Sequence, residues 1–158
     1  MLTEEQWRIL ARDPDELLSS YRTTQALIKQ KLEDIQHLHD LTQHITQELS
    51  PVATFGSFPT SRIETCCVEI ATIDDEIGEL KSRLRLQKQM VLDIIDLLDS
   101  PRERVIIEAH YVDGQSLNHI AHLLDQRLTY RRVCQIKQEI LGKLSAKGLH
   151  FLSNCDNI

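Results

Sequence analysis

Residues 100–148 read SPRERVIIEAHYVDGQSLNHIAHLLDQRLTYRRVCQIKQEILGKLSAKG, and their own punctuation cuts them into three helical segments. Ser100-Pro101 is a good helix start: the Ser side chain can accept an orphan N–H, and Pro loses nothing at the first helical position. The segment runs to about Val112, with Val105, Ile106, Ala109 and Val112 on one face. Asp113-Gly114 stops it, because Gly tolerates the left-handed backbone at a helix end. Ser116 caps the next segment, where Leu117, Ile120, Ala121 and Leu124 fall at 3–4 spacing. Ala121 is small where two helices must cross closely. Thr129 caps a third segment whose inward residues are Val133, Ile136, Ile140, Leu141 and Leu144. Two helices joined by a short turn, the second long and basic, is the pattern of a helix–turn–helix DNA reader.

The charge points the same way. Residues 126–147 hold six basic residues (Arg127, Arg131, Arg132, Lys137, Lys143, Lys147) and only Glu139 against them, a local net of +5 in a chain of net −6. The whole-chain charge would not suggest a nucleic-acid partner, but phosphate meets local charge. With Val133, Ile136 and Ile140 turned inward, Tyr130, Arg131, Arg132, Gln135 and Gln138 lie at the front or outside. Arg can bridge guanine O6/N7, Gln can bridge adenine N6/N7, and Tyr can reach a phosphate. The expected DNA-binding set is Arg127, Thr129, Tyr130, Arg131, Arg132, Gln135, Gln138 and Lys143. A solvated basic face on a structural helix is the plainer reading of the same residues.

The stretch resembles region 4 of sigma-70 factors, and more closely the phage late-gene transcriptional regulators of the ArpU/RinA type. The matching residues are Pro101-Arg102-Glu103-Arg104, Tyr111-Val112-Asp113-Gly114, Ile120-Ala121, Thr129, Val133 and Ile140-Leu141. Such regulators carry a helical hairpin ahead of this module, so the resemblance covers most of residues 15–147. The spacing from Ala121 to Thr129, through Asp125-Gln126-Arg127-Leu128, is longer than the usual pattern. The resemblance implies a sigma-70 region-4-like helix–turn–helix, bacterial RNA polymerase as a partner, and activation of late genes from a phage or mobile element.

The rest of the chain reads as helix. Aromatics make up 4% of its 158 residues and Gly and Pro are few, which favours an all-α fold. Thr3 opens a short helix over residues 3–12, with Trp7, Ile9 and Leu10 to bury. Asp13-Pro14 is a break and a new start. A long helix follows over about 14–49, with Leu18, Tyr21, Ile28, Leu32, Ile35, Leu38, Ile45 and Leu49 as its stripe and a polar gap at Thr24-Gln25. Residues 50–61 (SPVATFGSFPTS) form a loop, which Phe55 and Phe58 would tether. A second long helix covers about 62–98. There Ile63, Cys66, Ile70, Ile73, Ile77, Leu80, Leu84, Gln87, Val91, Ile94 and Leu98 alternate by 3 and 4, the seam of a coiled coil.

The expected architecture is therefore all-α: a long antiparallel helical hairpin over residues 1–99, a helix–turn–helix module over 100–148 and a tail over 149–158. Val68, Leu86, Leu92 and Ile95 lie off the seam and would pair two copies. A homodimer would add two reading heads.

Several classes are excluded or disfavoured. No P-loop, GxGxxG or nucleophile turn is present, so no enzyme and no cofactor is expected. Cys66, Cys67, Cys134 and Cys155 make no C-x-x-C pair and the seven histidines are scattered, so reduced thiols and surface imidazoles are expected rather than a metal. Asp74, Asp75, Glu76 and Glu79 read as a solvated acidic face. No run is long enough to span a membrane, and MLTEEQWRIL at the start is too polar for a secretory signal, so a cytoplasmic location is expected. Three functions fit: a sequence-specific DNA-binding regulator, a DNA-packaging subunit of small-terminase type, or a protein-interaction module that binds polymerase or another partner without reading DNA. The expected partners are double-stranded DNA, a second copy of the chain and polymerase.

Overall fold

The computed structural model describes residues 1–48, 59–124 and 129–155, with side chains undescribed at 45–48, 59–61 and 155. The described residues form six helices and no strand, the all-α class expected from composition: α1 (Glu4–Arg12), α2 (Pro14–Glu48), α3 (Pro59–Asp96), α4 (Pro101–Tyr111), α5 (Leu117–Leu124) and α6 (Tyr130–Cys155). No helix among them is long and apolar enough to cross a membrane.

The helix starts follow their caps. The Thr3 hydroxyl accepts from the Gln6 N–H while the Gln6 side chain accepts from the Thr3 N–H, a complete capping box. The His119 N–H donates to the Ser116 hydroxyl at 3.2 Å and starts α5. Ser100 departs from expectation: its side chain makes no cap bond, and Pro101 alone sets the first turn of α4. Past α4, Gly114 adopts φ +72°, the left-handed conformation that lets the chain turn back.

The chain packs as two compact units, Met1–Thr23 with Leu84–Ile158, and Thr24–Arg83. These differ from the division at 99/100 expected from sequence, because α1 and both outer ends of α2 and α3 belong with α4, α5 and α6. The first unit has two cores. The larger gathers Leu10 from α1, Leu18 and Tyr21 from α2, Val91 and Ile94 from α3, Ile107 and Tyr111 from α4, and Ile140 and Leu144 from α6. The smaller holds Ile106, Ile120, Ala121 and Val133, with Leu117, Leu124 and Ile136 at its edge. Neighbours Ile106 and Ile107 thus face different cores. This corrects the expected α4 face: Val105 is exposed, and Ile107 and Tyr111 are buried instead.

A polar tie joins three elements of this unit. The buried Tyr111 hydroxyl of α4 donates to Asp15 of α2, and Lys137 of α6 reaches Asp15 at 3.0 Å while lying 5.1 Å from the centre of the Tyr111 ring. Burial and the Asp15 charge push the Tyr111 phenol well above its usual range. Burial alone would raise the Asp15 carboxyl, but the bonds from Tyr111 and Lys137 outweigh it and leave it below the ordinary value.

The expected tail is also corrected. α6 continues through Gly148 to Cys155, because α1 lies along it. The Ser145 hydroxyl donates to the Ala11 carbonyl, and Phe151 stacks on Trp7 with ring centres 4.4 Å apart. A side chain at Gly148 would meet the Ala11 backbone nitrogen at 2.8 Å, so this glycine permits the close crossing.

The second unit is two stretches of helix, one from α2 and one from α3. Along 62–88 the expected α3 seam holds: Ile63, Cys66, Ile70, Ile73, Ile77, Leu80, Leu84 and Gln87 are the residues withdrawn from solvent, and the others are exposed. The α2 stripe is corrected. Thr24 is buried, Lys31 is withdrawn with its amine on Glu76 of α3, and Leu32 is half exposed. Register overrides residue type here: Thr24, Ile28, Lys31, Ile35 and Leu38 keep the 3–4 alternation that Leu32 would break. Of the off-seam residues expected to pair two copies, Ile95 is in the core and Leu92 packs against it, whereas Val68 and Leu86 are exposed. The expected loop anchors Phe55 and Phe58, and the stripe residues Ile45 and Leu49, lie outside the described residues or side chains.

Candidate nucleic-acid interface

Thr129 fixes where α6 begins. Its hydroxyl accepts from the Arg132 N–H at 3.3 Å, and its carbonyl accepts from the Val133 N–H at 3.1 Å. Val133 then drops into the small core with Ile106, Ile120 and Ala121, and Ile140 and Leu144 hold α6 to the larger core. This anchoring leaves Thr129, Tyr130, Arg131, Arg132, Gln135 and Gln138 exposed, and Lys143 further along α6 is exposed as well, seven of the eight residues expected from sequence. Arg127 lies outside the described residues, as does the longer Asp125–Leu128 spacing. Lys143 is exposed but committed, as follows.

The basic residues of α6 are of two kinds. Lys137 is paired with Asp15, Lys143 with Glu103 of α4, and Lys147 with Asp99 at 3.2 Å and with the Leu97 carbonyl. The bond from Glu103 leads the influences that raise the Lys143 amine, with Glu139 and Asp99 adding to it. These three lysines fasten α6 to α2, α4 and the α3–α4 connection. The local +5 therefore overstates the charge on offer, because Asp15, Glu103 and Asp99 come from outside residues 126–147. Nothing in the local sequence marks them as partners.

The front of the helix differs. Among the described residues, Arg131 makes no ion pair. Arg132 leans along α6 to within 3.4 Å of both Gln135 and Glu139. The Tyr130 phenol is raised, first by its hydrogen bond with Cys134 one turn on. Gln135 and Gln138 follow Arg131 on the ridge opposite the buried residues, where their amides can both donate and accept.

Beside this ridge, α5 turns Asn118, His119, His122 and Leu123 outward, with Leu123 63% exposed. No group of three or more His, Cys, Asp or Glu among the described residues is placed to hold an ion. Cys66, Cys67 and Cys134 are free thiols.

No protein-family model, curated protein or solved structure matches the chain.

Proposed function

We propose that the chain is a sequence-specific DNA-binding transcriptional regulator, with α4, α5 and α6 as a sigma-70 region-4-like helix–turn–helix and α6 as the helix that enters the major groove. One observation carries this reading. The start of α6 leaves Thr129, Tyr130, Arg131, Arg132, Gln135 and Gln138 exposed, with Arg131 in no ion pair among the described residues and Arg132 held only within its own helix, while Lys137, Lys143 and Lys147 are tied to other elements. Cations scattered for solubility would not sort in this way. A reading helix needs free donors at its N-terminal end and a rigid mount behind them.

The roles follow from the chemistry. Arg131 suits a guanine edge, Gln135 and Gln138 suit adenine, and Tyr130 and the Thr129 hydroxyl suit phosphates. Arg127, just ahead of the helix, suits phosphate as well. Residues 24–83 hold five basic against ten acidic residues, so DNA contact is confined to the other unit. Within residues 24–83, α2 and α3 run as an antiparallel coiled-coil hairpin, with the Lys31 amine on Glu76 and Leu27 and Leu80 lining the groove beside them. Exposed Val68 and Leu86 suit pairing with a second copy, which would place two reading heads on two half-sites. By the resemblance to phage late-gene regulators, the protein acts in the bacterial cytoplasm with RNA polymerase as an activator.

A second reading has its own support. Leu123, Val105 and Tyr130 are about half exposed or more, which suits an apolar protein partner. A footprint decides between the two. The protein should protect a discrete site at about 150 mM salt, where specific and non-specific binding separate, and Arg131→Ala/Arg132→Ala should abolish it. A footprint that survives the double substitution would place DNA reading on residues other than these, and none in the parent protein favours the protein-contact reading. A ring-shaped higher oligomer in light scattering would favour the DNA-packaging alternative.

A further inference from the structure

We infer that Glu139 is a specificity-determining residue of the α6 ridge: it holds Arg132 away from bare phosphate and releases it to a matched pair of base edges. This inference rests on the DNA-reading function proposed above. Glu139 stands two turns after Arg132, and a seven-residue step returns to nearly the same side of a helix. The Arg132 guanidinium lies 3.4 Å from the Glu139 carboxylate, with both side chains more than half exposed. Lys143, the other cation near Glu139, is already bonded to Glu103. The carboxylate therefore restrains Arg132 in particular, and it does so at the flank of the exposed face that carries Arg131, Gln135 and Gln138.

The two kinds of DNA contact differ in what they return for breaking this pair. A phosphate offers Arg132 one acceptor in place of another and leaves Glu139 facing negative charge with no donor. A guanine edge offers Arg132 two acceptors, O6 and N7, and a neighbouring cytosine offers Glu139 its N4 amino group. Only the second exchange satisfies both side chains. The pair is thus set to disfavour random sequence and to tolerate a G·C-containing site, a repulsive element of the kind that specificity needs. An exposed pair is weak, so the effect is graded rather than all-or-none.

The experiment measures affinity of the full chain for a site selected from a randomised duplex library and for a scrambled duplex, across a salt series. Glu139→Gln should bind the scrambled duplex about threefold to fivefold more tightly, the scale of a weak exposed pair. Its log–log salt slope on that duplex should steepen by about 0.9, one further phosphate neutralised. Affinity for the selected site should not rise, so the specificity ratio falls. In an Arg132→Ala background, Glu139→Gln should change neither duplex. An unchanged ratio in a protein that does select a site overturns this inference alone. The same gain with Arg132 absent also overturns it, since plain repulsion of DNA by Glu139 would then explain everything. A parent protein that selects no site and binds neither duplex overturns the DNA-reading function as well.

Discussion

Tyr21 and Ile28 stand one heptad apart on α2, and Val91 and Ile73 stand further apart on α3, all on withdrawn faces. Tyr21 and Val91 are buried, whereas Ile28 and Ile73 are only partly so. The difference lies in what surrounds them. Tyr21 and Val91 share a core with α1, α4 and α6, whereas among the described residues of 24–83 only Thr24 and Ile77 are buried. A 3–4 repeat therefore records which face turns inward, and a third layer of helices decides how deep it goes.

The comparison can be broken with one helix. Leu18→Ala and Ile28→Ala both truncate an apolar side chain of α2. Leu18 is fully buried, and its loss should cost about 2–5 kcal/mol through transfer and cavity. Ile28 is half-buried beside a single neighbouring helix and should cost about 1 kcal/mol. Urea unfolding followed by circular dichroism measures both, and equal costs would mean that the second unit is as deeply packed as the first.

Glycines sharpen the contrast between covered and open helix. At Gly148 a new Cβ would meet the Ala11 backbone, which cannot step aside, so Gly148→Val should cost about 1–3 kcal/mol. At Gly142, six residues earlier, nothing lies within 4 Å, and Gly142→Ala should stabilise α6 by about 0.5–1 kcal/mol. Melting temperatures that move the same way for both would show that α1 does not lie against α6 in solution.

These positions also show what was legible beforehand. The caps at Thr3, Ser116 and Thr129 were readable because donor and acceptor lie within one turn of each other. The α3 seam was readable because its period is unbroken. On α2 residue type favours the apolar Leu32 for the inward position, whereas the register favours Lys31, whose charge Glu76 meets. The extension of α6 past Gly148 was hidden because its cause is α1, far away in sequence. The exposure of the candidate residues at the start of α6 was legible from their spacing, but the tying of Lys137, Lys143 and Lys147 to other elements was not. Asp15, Glu103 and Asp99 become partners only through the fold.

The contrast between Arg131 and the tied lysines yields a test on DNA. Arg131→Ala should lose about 1–3 kcal/mol of specific binding if it reads a guanine edge. Lys143→Ala should leave both affinity and salt slope close to the parent, because its charge is already met by Glu103. A slope for Lys143→Ala that flattens by about 0.9 would instead mean that the lysine leaves Glu103 for a phosphate.

The smallest effect concerns acid. Burial holds His110 below the ordinary histidine value, with Lys137 and Arg22 adding to the depression, while the Gln115 carbonyl and Asp15 pull the other way. In the neutral ring Nδ1–H donates to the Gln115 carbonyl at 3.0 Å and holds the turn after α4. A depressed value in the folded chain means that the unfolded chain takes up the proton first. This group's stabilisation is therefore complete above about pH 6.5 and is lost as pH falls from there through the folded value. The Asp15 carboxyl, also depressed, adds its own loss only below its ordinary carboxylate range, so the two windows separate. Urea midpoints measured from neutral pH down to about pH 5 should decline in the parent and stay flatter in His110→Gln, which keeps an amide donor near Gln115 but cannot take a proton. A variant that declines as steeply as the parent would place the acid sensitivity elsewhere, outside the α4–α5 turn.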